Sequence, residues 1–312
     1  MRWTPYTLAL LSLVAGTAAL AGETKCFSPL ADFSDRDPAH FLDIQAPTTA
    51  APAKGVKKFE PVTSGKGNAN IDFLYVSFSA PMGVTIPQFF KAMRLNFQKF
   101  ARGTSHIFGF GPYEASTASN DPVRVTNLSK WDSDDPTGAL MSFNLDSAWP
   151  AAGAVGSGRP GKGRLAIIEK AGDVQVTCAS QSDFIFSTVE SEAGGMHPVA
   201  GNRGFGLMAS SDGQTWTFYS KAVDRDSTSL MNLLLRANPK EENLFCKGQS
   251  FWVSFFVELR NFLNERGLKV TDWNLKNHGP VPYPFQNGQQ PAEQNCNADR
   301  IIIPKDGAPP LP

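Results

Sequence analysis

The stretch Asp183–Asp226, DFIFSTVESEAGGMHPVAGNRGFGLMASSDGQTWTFYSKAVDRD, decides how the chain is read. Phe184, Phe186 and Thr188 alternate with Ile185, Ser187 and Val189, a period of two rich in β-formers. Thr215, Thr217 and Tyr219 alternate in the same way with Trp216, Phe218 and Ser220. Between the second and third runs, Asp212-Gly213 is a hairpin signal, because a tight turn needs a residue that accepts positive φ. Arg203–Ala209 and Gln214–Ala222 are therefore expected to pair as an antiparallel hairpin.

The bend ahead of that hairpin, Gly194–Gly204, packs four glycines and one proline into eleven residues. Such a composition means unusual backbone angles or close approach to something. One expectation is a long connection that bends away from the sheet and leaves His197 and Arg203 solvated. The other gathers His197, Asn202, Arg203, Tyr219, Lys221, Asp224 and Arg225 around one mouth of the sheet. On that second expectation His197 is a general base oriented by Asp224, since imidazole titrates near neutrality. Asn202, Arg203, Tyr219, Lys221 and Arg225, with Trp252 from a later helix, would then hold a ligand.

HPVAGNRGFGL followed by WTFYSKAVDRD is similar to a pattern, HPVSGNREFG…YTFYTRGVDR, of uncharacterised secreted bacterial and fungal proteins. The resemblance covers about thirty of the 312 residues and implies that the segment is a unit; it brings no chemistry with it. The order of elements along the chain also resembles that of START-like helix-grip proteins, whose curved sheet wraps a C-terminal helix around a cavity. That second resemblance implies an apolar ligand held between the sheet and the helix.

Residues 1–21 read as a secretory signal peptide: Arg2 is the positive end, Leu8–Val14 the apolar core and Ala19-Leu20-Ala21 the cleavage motif. The apolar run is shorter than the roughly 20 residues a membrane-spanning helix needs. Export makes two disulfides the natural state of Cys26, Cys178, Cys246 and Cys296, with three possible connectivities. Export also leaves periplasm and extracellular space equally open. Lys+Arg and Asp+Glu are both 29, so no net charge draws the chain to nucleic acid. With 41% hydrophobic residues, 23 phenylalanines and only 19% charged residues, the composition is that of a packed globule.

No cofactor or metal motif is present. Gly156–Gly163, GSGRPGKG, resembles a phosphate loop but lacks the Ser/Thr after Lys162. The Asp-rich Asp32–Asp43 lacks the spacing of a calcium loop, and the four histidines are scattered. No GxSxG elbow supplies a nucleophile.

Residues 22–69 are expected to be loop-rich, with an exposed linker at Ala46–Gly55 and a polar loop at Thr63–Asn68. A single α+β domain is expected over 70–277, followed by a Pro/Gln-rich tail over 278–312. Ile71–Ser79 is a predicted strand. A helix follows, capped by Thr85, with Pro87 in its first turn and Ile86, Phe89, Phe90, Met93, Phe97 and Phe100 at helical spacing. Its Lys91, Arg94, Lys99 and Arg102 are read as a solvated face. Short strands are predicted at Val123–Leu128, Ala139–Leu145, Arg164–Lys170, Val174–Cys178 and Phe184–Val189. A helix-like stretch follows at Thr228–Arg236. The last strong element is a helix over Gln249–Arg266, capped by Ser250 and ended by Gly267. Trp252, Phe255, Phe256, Leu259, Phe262 and Leu263 form its apolar stripe.

The expected fold is thus α+β: a curved antiparallel sheet packed on an amphipathic helix and a long C-terminal helix, with a β-sandwich flanked by helices as the alternative. Three functional classes fit it. They are an exported binding protein for a hydrophobic or amphiphilic small molecule, a secreted hydrolase-like enzyme, and a secreted or envelope protein that acts through a protein partner.

Overall fold

The structure, a computed structural model, describes residues 25–28, 37–45, 50–101, 107–114, 121–145, 172–227, 244–275 and 277–285. The signal peptide, the loop at 150–163, Arg164–Lys170, Thr228–Arg236 and Cys296 lie outside them, as does the side chain of Cys246.

Among the described residues, ten strands form one antiparallel sheet: β1 (Val56–Phe59), β2 (Lys66–Ser79), β3 (Ile107–Pro112), β4 (Leu140–Leu145), β5 (Gly172–Ala179), β6 (Asp183–Ser191), β7 (Val199–Ala209), β8 (Thr215–Asp226), β9 (Val270–Asn274) and β10 (Asn277–Val281). The order β10-β2-β8-β7-β6-β5-β4-β3 makes β3 to β8 a meander whose last strand returns beside the early strand β2. This is the arrangement expected of a helix-grip fold, and the structure is α+β. The expected hairpin is β7 and β8, paired from Val199↔Asp226 to Ala209↔Trp216 and joined through a turn in which Gly213 has φ 71°. Asp212 accepts the Gln214 N–H at 2.9 Å, so aspartate and glycine each have a separate task in that turn.

The α-helices among the described residues are α1 (Ile86–Leu95), α2 (Phe97–Phe100), α3 (Pro122–Asp132) and α4 (Leu244–Glu265). Thr85 and Gln88 complete a capping box at the start of α1. The aromatic stripe of α1 and α2 turns into the core, where Phe97 contacts the rings of Phe110, Trp131, Phe184, Phe186, Phe205 and Phe255. α4 lays Phe251, Phe255, Phe256, Leu259 and Leu263 against the same sheet face. The opposite face is covered by the N-terminal segment, with Phe27, Phe41 and Ile44 packing on Phe73, Tyr219 and Val223. Among the described residues no second sheet covers it, and the strands form one sheet rather than the β-sandwich alternative.

Several expectations are corrected. Val123–Leu128 lies in α3: Asp121 accepts the Val123 N–H at 3.0 Å and Pro122 opens the helix, and this start signal outweighs the β-branched Val123, Val125 and Thr126. Arg94 is buried rather than solvated, donating to Ser133 O at 2.6 Å with its guanidinium over Trp131. α4 begins at Leu244, so Ser250 lies inside the helix instead of capping it. Thr63–Asn68 is partly strand, and residues 51–53 are fastened to β5 by Gln175, which donates to Ala51 O and accepts from Ala53 N, both at 2.8 Å. Strands β9 and β10 cover the outer edge of β2.

Cys26 and Cys178 form a disulfide that ties the N-terminal segment to β5.

Candidate functional site

The sheet splits at one point. β6 pairs with β7 as far as Ser187↔Asn202, and from Val189 onward it pairs with β1 instead. Thr188 sits at the fork. Its hydroxyl accepts from Gly201 N at 3.0 Å and lies 2.9 Å from Glu60 O. Gly201 has to be glycine there, since a Cβ would stand 2.2 Å from Val223 O on the neighbouring strand. The bend before β7 folds over this fork and brings His197 with it.

Beneath the fork a cavity of about 130 Å³ opens between the sheet and the N-terminal half of α4. Phe143, Val174, Phe186, Phe251 and Trp252 make its apolar wall. Asn70, Asp72, Arg203, Asp224 and His197 make its polar end. Elsewhere between the sheet and α4 the phenylalanines of the core pack together.

Arg203 is committed within this site. Its Nη1 and Nη2 donate to Asp72 Oδ1 and Oδ2 at 2.7 and 2.6 Å, Nη1 also donates to Ser220 Oγ at 3.0 Å, and the guanidinium lies 4.2 Å from the centre of the Trp252 ring. Asp224 is deep in the molecule yet keeps some accessible surface, because that surface is cavity wall. Burial, and secondly the negative charge of Asp72, push its carboxyl up to about 7; Arg203 and a hydrogen bond from Asn70 act the other way.

His197 is held by main chain: its Nδ1 lies 3.1 Å from Val199 N and 2.8 Å from Val199 O. Burial lowers its pKa to about 4, so the ring is neutral at neutral pH. The main-chain N–H of His197 donates to Glu60 Oε2 at 3.0 Å, and burial raises Glu60 to about 7. Gln249, also on the wall, has a buried Oε1 without a hydrogen-bond partner among the described residues.

Of the residues singled out in the sequence, the structure brings His197, Asn202, Arg203, Asp224 and Trp252 to this cavity. The side chain of Asn202 points to the other face, where it donates to Ile44 O at 2.7 Å. Tyr219, Lys221 and Arg225 also stand on that opposite face, because they alternate with Ser220 and Asp224 along β8. Tyr219 packs between Phe27 and Phe73. Lys221 is fully buried and donates to Ser28 O, His40 O and Asp43 Oδ1 at 3.0, 3.0 and 2.6 Å. Arg225 donates to Gly67 O and Val62 O and lies over Tyr283. The period-two rule already separates the two groups by parity.

Sequence reasoning missed Asn70, Asp72 and Gln249. Asp72 has a legible sign, a carboxylate at an inward position of an otherwise apolar strand.

No family model and no curated protein matches the chain. Among solved structures it is similar to that of Ara h 8.0201, at 10% identity and a TM-score of 0.31, over 62% of this chain and 99% of that one. No helix of the described residues is long and apolar enough to cross a membrane.

Proposed function

We propose that the chain is an exported binding protein for a small hydrophobic or amphiphilic molecule, held between the sheet and α4. The observation that carries this is the cavity itself, a walled space of aromatic and aliphatic side chains with a cluster of polar groups at one end. Export is supported by the signal-like residues 1–21 and by the Cys26–Cys178 disulfide, a bond at home in an oxidising compartment.

Native mass spectrometry of protein purified from its own source, followed by denaturing extraction, tests this. A small molecule bound in stoichiometric amount and released on unfolding is the expected result. A clean protein mass, together with no binding when the protein is screened against small aromatic compounds, overturns it.

One observation favours a second reading, a secreted enzyme that moves protons with Asp224 and His197. A carboxyl near 7 at a cavity wall suits acid–base work at neutral pH. Turnover of broad substrate pools that disappears in both Asp224→Asn and His197→Ala would favour it, and equal turnover in the wild type and both variants would remove it.

A further inference from the structure

We infer that the cavity selects its ligand by a positively charged, hydrogen-bond-donating head, a small aromatic or alkyl ammonium seated against Asp224. This rests on the binding reading above and names the ligand class that it leaves open.

Among the described residues, Arg203 is the only cation lining the cavity, and its charge is already used. Both terminal nitrogens are taken by the two oxygens of Asp72, Ser220 takes a further hydrogen bond, and one face of the guanidinium is covered by Trp252. An anionic head would meet no uncommitted positive group there. This differs from what the sequence suggests on its own, where Arg203 stands out as the holder of an anion.

The remaining groups point the other way. From β8 comes Asp224, with the buried Asp226 as a charged neighbour outside the lining, from β2 Asn70 and Asp72, and from the bend a neutral His197, whose main-chain N–H is held by the Glu60 carboxyl. From α4 comes the unpartnered Gln249 Oε1. Two carboxyls, Asp72 and Asp224, thus face the cavity against the one cation, and the Gln249 oxygen adds an acceptor without a partner among the described residues. An ammonium supplies both the charge and the donors that such a wall lacks.

The apolar wall agrees. Phe143, Phe186, Phe251 and Trp252 surround the space, and aromatic faces attract a desolvated cation. The volume of about 130 Å³ limits the buried part of the ligand to about one ring, since an apolar cavity of about 150 Å³ takes benzene.

The test is calorimetric titration of the full chain with three probes of one shape: benzylamine, benzyl alcohol and benzoate. At about pH 8, above the raised Asp224 value, benzylamine is expected to bind about ten-fold or more tightly than either of the others. At about pH 6 that preference should shrink, because Asp224 is then mostly neutral while the amine stays charged. Asp224→Asn should abolish the preference of the cavity for benzylamine over benzyl alcohol. The wild-type series decides the matter even where that variant folds poorly. Benzyl alcohol or benzoate binding as tightly as benzylamine at about pH 8 overturns the head-group assignment and leaves the cavity reading standing. Binding by none of the three at millimolar concentration overturns both.

Discussion

Arg203 and Asp72 meet across a third strand. Asp72 lies on β2 and Arg203 on β7, and both are paired in register with Ala222 of the intervening β8. The bidentate fork, at 2.6 and 2.7 Å, therefore passes over a methyl group, and a larger side chain at 222 would stand in its path. The pair draws three strands together at the point where the cavity begins.

Arg203→Ala should destabilise the fold by about 3–5 kcal/mol, because it leaves the Asp72 carboxylate buried and uncompensated. Ala222→Leu should weaken the same contact sterically, and an Asp72→Leu/Arg203→Met double variant should recover much of the loss. Urea denaturation measures all three. A single variant no worse than the double would show that the pair carries no stability.

Stability should fall as pH rises from about 4 to about 7. Asp224 and Glu60, at about 7, and Asp173, at about 6, are raised by burial, so between their unfolded and folded values the native state binds more protons. Their contribution is whole below the unfolded values and is lost as pH rises through the folded ones. His197, lowered to about 4, has the opposite sign between about 4 and 6.5, and one such group offsets only part of the three. Thermal melts across this range should show the decline, and Asp224→Asn should flatten it. A midpoint that climbs steadily to pH 7 would contradict this.

Lys221→Met should loosen the N-terminal segment from the sheet. The ammonium is fully buried and holds Ser28, His40 and Asp43 together, so its removal is expected to cost about 1–3 kcal/mol. The Cys26–Cys178 disulfide closes a loop of sequence separation 152 and should still tether the segment, contributing about 2–5 kcal/mol by itself. Limited proteolysis under reducing conditions should therefore cut the segment faster in the variant than in the wild type. Equal cutting would place the anchor elsewhere.

Phe97→Ala should cost about 3–5 kcal/mol, since that ring touches phenylalanines from β3, β6, β7 and α4 and leaves a cavity none of them can fill alone. Truncation of the half-buried Trp252 should cost less stability and lower ligand affinity more. Denaturation midpoints of the two variants, set beside probe binding, distinguish the roles.

Much of the frame was legible in the residues. The alternation of Phe184–Val189 and Thr215–Ser220, the Asp212-Gly213 turn, the Thr85 cap and the aromatic stripe of the last helix are local patterns, and each forms what its pattern implies. Val123–Leu128 went the other way because a capping aspartate and a proline outweigh β propensity when the segment can bury Trp131 as a helix. The strands β1, β9 and β10 were not legible, because short edge strands take their conformation from the neighbour they pair with.

The sequence by itself determined the α+β class, the β7–β8 hairpin and the stretch that holds the site, all consequences of spacing within a few residues. Only the tertiary structure decided what Arg203 is for. Its partner Asp72 lies 131 residues away, and the two meet because the register of β2, β8 and β7 sets them on one face over Ala222. The same folding sends Lys221 to Asp43 on the other face and leaves Asp224 at the cavity wall. Charge type is written in the sequence, but whether a charge is spent or available depends on which distant group it meets.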